Sequence, residues 1–77
     1  MVPKRFEVLR DALQDRDATV RLMAVDSTEA DREGGMLLEP ALADSDETVR
    51  TAAARKIREI EHQLREERRR LADARRR

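Results

Sequence analysis

The sequence predicts an all-α chain, two helical hairpins of which the last helix is extended toward the C-terminus, and three observations carry that reading. A fourteen-residue segment recurs at an offset of 29, apolar residues recur at helical spacing, and neither glycine nor proline occurs from Asp46 onward. The repeat pairs Ala12–Val25, ALQDRDATVRLMAV, with Ala41–Ala54, ALADSDETVRTAAA, and eight of the fourteen positions are identical.

The first helix begins near Lys4, with Pro3 at or before its first turn, where a missing amide proton costs nothing. Phe6, Leu9 and Leu13 fall on one face. The polar stretch Asp15–Asp17 ends this helix, and Asp17 is placed to cap the next by accepting from its free amides. Val20 and Ala24 then form the inner stripe of the second helix. Its stripe fades where the later copy has Ile57 and Ile60, because Thr28 and Asp31 stand there instead, which predicts an early end. Gly34–Gly35 predicts a loop between the copies, since two helical glycines cost about 1 kcal/mol each against alanine.

In the second copy Leu38 and Leu42 line the first helix, and Pro40 predicts a kink or a late start by deleting one backbone donor. Asp46 caps the last helix, whose inner stripe is Val49, Ala53, Ile57, Ile60 and Leu64. The hairpins thus span about 4–31 and 36–64, and 65–77 is an arginine-rich extension. With Ile57 at heptad position a, Glu67 falls at d and interrupts the seam, so the helix projects beyond the domain without a coiled-coil repeat. Pairs such as Glu61–Arg65 and Glu66–Arg70 add a few tenths of a kcal/mol each.

The pattern L-x-D-x-D-x-x-V-R-x-x-A occurs as Leu13–Ala24 and again as Leu42–Ala53. It resembles the HEAT-like repeats, in particular the short bacterial variety of phycobilisome-lyase-type proteins, over about residues 5–60. The resemblance implies a short α-solenoid that binds partners and carries no activity of its own. It also implies structural roles for the first aspartate and the arginine of each copy: Asp15 and Asp44 hold the turns, and Arg21 and Arg50 are the matching arginines, beside the caps Asp17 and Asp46. Arg50 is then expected to reach back toward Asp15. The offset of 29 is shorter than the usual HEAT length of about 40–47 residues.

Composition narrows the function. Of 77 residues, 44% are charged and Phe6 is the only aromatic. A chain this short buries only about 60% of its extended surface, which excludes a large pocketed enzyme. The absence of cysteine excludes disulfides, thiol catalysis and a zinc knuckle, and no apolar run suits a membrane span or a secretory signal, so a cytoplasmic location is expected. His62 stands alone on the outer face, Ser27 and Ser45 lack a nucleophile context, and the paired aspartates lack the rest of a calcium loop. No catalytic residue, metal site, cofactor or small-molecule substrate is expected.

The zero net charge is a sum of two halves, −5 over residues 1–54 and +5 over 55–77. The arginine cluster Arg65, Arg68, Arg69, Arg70, Arg75, Arg76 and Arg77 offers phosphate contacts, but Glu66, Glu67 and Asp73 interleave and no aromatic is available to stack on bases. Nucleic acid therefore ranks behind a protein partner or a homo-oligomer. Two repeats leave apolar surface over, so Leu22, Met23, Met36 and Leu37 need a cover. The expected contact residues are Leu22, Met36, Leu64, Arg65, Arg68, Arg69 and Leu71, on a small adaptor or accessory subunit.

Overall fold

The computed structural model describes residues 4–76, so the expectations for Pro3 and Arg77 fall outside the described residues. Four α-helices and one 3₁₀ segment follow in order: α1 (Lys4–Ala12), α2 (Ala18–Ser27), α3 (Arg32–Leu38), the 3₁₀ segment Glu39–Ala43, and α4 (Glu47–Arg75). The described residues contain no strand.

Local chemistry sets the boundaries. Asp17 has extended backbone and accepts from the Thr19 amide at 2.8 Å, which starts α2. Asp46 does the same for α4, accepting from Thr48 at 2.8 Å and Val49 at 3.3 Å. At the other end of α2, Thr28 is buried, and its hydroxyl donates to the Ala24 carbonyl at 2.8 Å. Copy one thus loses the helical continuation that copy two has, because a threonine turns its hydroxyl back onto the helix where Ile57 packs in α4.

The glycine pair is a correction to the sequence reading. Gly34 and Gly35 lie inside α3, whose N-cap is Asp31; its carboxylate accepts from the Gly34 amide at 2.7 Å. Neither glycine has a positive φ, so left-handed backbone is not the reason for them. The reason at Gly34 is proximity: a Cβ there would stand 1.9 Å from the carbonyl oxygen of Glu29. The short α2–α3 connection closes only if that position has no side chain. Gly35 is different, since a Cβ there would meet Ile60 Cγ2 at 3.6 Å, an ordinary contact.

Pro40 delivers the expected break. It sits in the first turn of the 3₁₀ segment, just after α3 ends at Leu38. Tighter winding, three residues per turn, then puts Ala41 on the face of Leu38 and swings Leu42 outward. Leu38 and Ala41 are buried while Leu42 is exposed, so Leu42 does not line the core as its spacing suggested.

The core is Val25, Leu38, Ala41, Val49, Ala53 and Ile60, with Leu13, Leu22, Ile57 and Leu64 packed around it. Burying each large member contributes about 1.5–3 kcal/mol. α4 is the central element, packing against α2, α3 and the 3₁₀ segment, while α1 leans on α2. Of the expected α1 face, Leu9 and Leu13 are half-buried and Phe6 is exposed. On α2 the most buried side chain is Val25, next to the expected Ala24, and Val20 is half-buried. Lys56 Nζ donates to the Asp26 carbonyl at 3.2 Å and ties α4 to the end of α2. Beyond Leu64, α4 continues with exposed residues apart from Glu66, and the radius of gyration, 14.5 Å, exceeds the ~11.5 Å of a compact chain of this length.

The two glycines make opposite predictions. Gly35→Ala should stabilise the fold by about 0.5–1 kcal/mol through better helix propensity, and Gly34→Ala should destabilise it by about 1–3 kcal/mol through the clash with Glu29. Urea denaturation of both variants checks this; equal effects would mean that the α2–α3 connection is not closed as described.

Candidate functional site

The two interhelix turns are built alike. Asp15 Oδ1 accepts from the Asp17 amide at 2.8 Å, and 29 residues later Asp44 Oδ1 accepts from the Asp46 amide at 2.9 Å. Arg21 Nη1 donates to the Asp15 carbonyl at 2.8 Å, and Arg50 Nη1 donates to the Asp44 carbonyl at 2.7 Å. In each turn an aspartate side chain folds back over the bend, and an arginine one turn into the following helix stitches the bend's carbonyl to that helix.

One contact joins the turns. Arg21 Nε donates to Asp44 Oδ2 at 2.8 Å and Arg21 Nη2 to Asp44 Oδ1 at 3.0 Å, a bidentate pair whose side chains are 13% and 10% exposed. Nη1 of the same guanidinium also reaches the Arg16 carbonyl at 3.1 Å. The expected partnership of Arg50 with Asp15 is therefore overturned. The link between copies runs forward from Arg21 to Asp44, and Arg50 serves only its own turn. Both pairs are equivalent in sequence; the choice depends on which side of copy one copy two packs, and that is a tertiary fact.

The electrostatics follow. Hydrogen bonds from Arg21, then from the Asp46 amide, hold the Asp44 carboxyl below the usual carboxylate range against the opposing effect of desolvation. The Arg21 guanidinium is correspondingly held above its ordinary value, chiefly by its hydrogen bonds to Asp44.

Asp44 of this clamp also lines a groove between α1 and the α3–3₁₀ unit. The groove measures about 740 Å³ and is lined by Phe6, Leu13, Met36, Leu37, Pro40 and Ala41, with Arg10, Gln14, Glu33 and Asp44 at its polar positions. A smaller continuation of about 140 Å³ runs past Phe6 and Leu9 toward Thr28 and Gly34. The groove exists because α1 leans on α2 and leaves the apolar side of α3 uncovered. Its walls carry few polar groups and no histidine.

The expected contact residues divide into three places. Met36 is 66% exposed on the groove wall. Leu22 and Leu64 pack against the core and offer only part of their surface. Arg65, Arg68, Arg69 and Leu71 lie exposed on the projecting part of α4, well away from the groove. Met23 is exposed as expected, whereas Leu37 is half-covered. The pairs Glu61–Arg65 and Glu66–Arg70 are not formed; Arg69 meets Glu66 at 3.5 Å instead. His62 is exposed, and among the described residues no three metal-ligating side chains converge. No helix among them is long and apolar enough to cross a membrane.

Comparison of the chain with protein-family models, with curated proteins and with solved structures found no match.

The pH dependence of the clamp has a defined sign. Because Asp44 is held low in the folded state, its contribution is present above the unfolded carboxylate pKa of about 3.9 and is lost as pH falls through the lower folded value. The melting temperature of the parent chain should exceed that of Asp44→Asn by a constant margin between about pH 5 and 7, and the margin should shrink below about pH 4. Thermal scans of both proteins across that range check it; a margin unchanged at acid pH would mean the carboxylate is not the group that Arg21 holds.

Proposed function

We propose that this chain is a non-catalytic protein-interaction module, a HEAT-like pair of helical hairpins acting as an adaptor or accessory subunit of a larger assembly. The observation that carries the proposal is the open apolar groove of about 740 Å³ between α1 and α3. Met36 and Phe6 face solvent there in a chain with only nineteen apolar residues larger than alanine, where each one left outside the core is a substantial loss. A helix of a partner that places two or three apolar side chains against Phe6, Leu13, Met36 and Leu37 would complete burial that this chain leaves open. Affinity then comes from those contacts, and Arg10 and Glu33 at the rim set orientation.

The repeated turn geometry supports the HEAT-like part of the proposal, since the two copies share their aspartate and arginine hydrogen bonds at the same offset. The Arg21–Asp44 link plays the part that an inter-repeat pair has in such an array. The expected localisation is cytoplasmic.

Light scattering on the purified chain, paired with a tagged pull-down, tests the proposal. The expected result is a mass above the 8.9 kDa monomer or a stoichiometric protein partner, weakened about tenfold or more by Met36→Glu with an unchanged melting temperature. A stable monomer that recovers nothing, or an association indifferent to Met36→Glu, contradicts it.

A further inference from the structure

The outer face of α4 differs in kind from the groove. By the repeat offset, Ala18, Leu22 and Val25 of α2 correspond to Glu47, Thr51 and Ala54 of α4. The α2 residues are packed in or against the core, whereas Glu47 and Thr51 are exposed and Ala54 is half-buried. The surface that in copy one packs toward the core is, in copy two, polar, and it cannot be buried against a further apolar helix.

Along α4 this face becomes cationic. At about 100° per residue, Arg58, Arg65, Arg68, Arg69 and Arg75 fall within one arc of about 120°, and all five are exposed. From Arg58 to Arg75 they extend over roughly 26 Å of helix axis. The acids of this stretch lie elsewhere on the helix: Glu59, Glu66, Glu67 and Asp73 fall outside the arc and only Glu61 falls within it. Among the described residues, the one ion pair on this helix is Arg69 with Glu66, at 3.5 Å with the Arg69 side chain 73% exposed. Glu61 and Glu66 stand four residues before Arg65 and Arg70, yet neither pair is formed, and Arg65 and Arg69 stand one turn apart, an arrangement that repels. The ridge is an array of guanidinium groups with little internal compensation.

We propose that this ridge binds the phosphate backbone of duplex nucleic acid. Guanidinium groups match phosphate oxygens bidentately, and a straight helix of this length fits along or into the major groove of a duplex. Between Arg58 and Arg75 the only carbon-only side chain within the arc is Ala72, with Leu64 and Leu71 outside it, so a protein partner would find no large apolar anchor on the ridge itself, and an interfacial membrane helix would lack its bulky face. Single-stranded nucleic acid is disfavoured because no aromatic residue stands on α4 to stack on bases. Contacts confined to the backbone make the binding indifferent to sequence and strongly dependent on salt. This surface is separate from the groove, so either assignment stands or falls without the other.

Fluorescence anisotropy of the full chain with a labelled 20-base-pair DNA duplex of arbitrary sequence tests the proposal. About four to five phosphate contacts predict affinity about 10²- to 10³-fold weaker at 200 mM than at 50 mM salt. The triple variant Arg58→Ala, Arg65→Ala, Arg69→Ala should lose binding at least tenfold, while Arg70→Ala, outside the arc, should lose less than about threefold. Alanine favours helix at these exposed positions, and far-UV circular dichroism confirms that the variants keep the parent fold. The matching Arg→Lys triple keeps the charge and should retain most of the salt dependence. No binding at 50 mM salt, equal losses from the triple and from Arg70→Ala, or equally tight binding of poly-L-glutamate would overturn the proposal.

Discussion

One guanidinium holds the two halves of this fold together at their turns. Arg21 lies one turn into α2, where it reaches back to the carbonyls of Asp15 and Arg16 and outward to the carboxylate of Asp44. Five donors in a rigid plane make that possible, and a lysine in the same place offers no such fork. Apolar burial is non-directional, and the core of a chain this short is small. The clamp supplies the direction. It adds a directional contact between copy one and copy two, beside the open spacing of α1 from α3.

The spacing matters because α1 and α3 do not close on each other. α4 gives the core its continuous wall through Val49, Ala53 and Ile60, and α2 and the 3₁₀ segment pack onto it. α1 packs chiefly on α2 and keeps an apolar side toward the groove. Two surfaces of opposite character result. The groove is apolar and concave, with Asp44 of the clamp in its lining; the outer face of α4 is cationic and convex. The charge split between residues 1–54 and 55–77 is the sequence-level shadow of that separation.

Much of the architecture could be read from the residues. The aspartate caps, the extent of α4 and the break at Pro40 are local effects, decided by side chains within a few residues of where they act. The failures share a different cause. Gly34–Gly35 reads as a loop because glycine disfavours helix, but the close approach of the Glu29 carbonyl, set by chain closure, decides the matter. Leu42 reads as core at α-helical spacing and turns outward because the backbone after Pro40 winds more tightly. Arg21 and Arg50 occupy equivalent positions, and only the packing of one copy on the other distinguishes them. The groove was legible only in part: Met36 and Leu37 stood out as needing cover and Leu13 packs on the core as its spacing suggested, while Phe6 read as core and stands exposed on the groove wall.

The most direct measurement is a double-mutant cycle on the clamp. Urea denaturation of the parent chain, Arg21→Ala, Asp44→Ala and the double variant isolates the interaction between the two side chains from their separate roles in the turns. Strong coupling is expected, with the double variant little worse than the more damaging single one, because either substitution alone already breaks the link between the turns. Losses that simply add would contradict it, and would mean that the hairpins hold their relation through the core without the Arg21–Asp44 bridge.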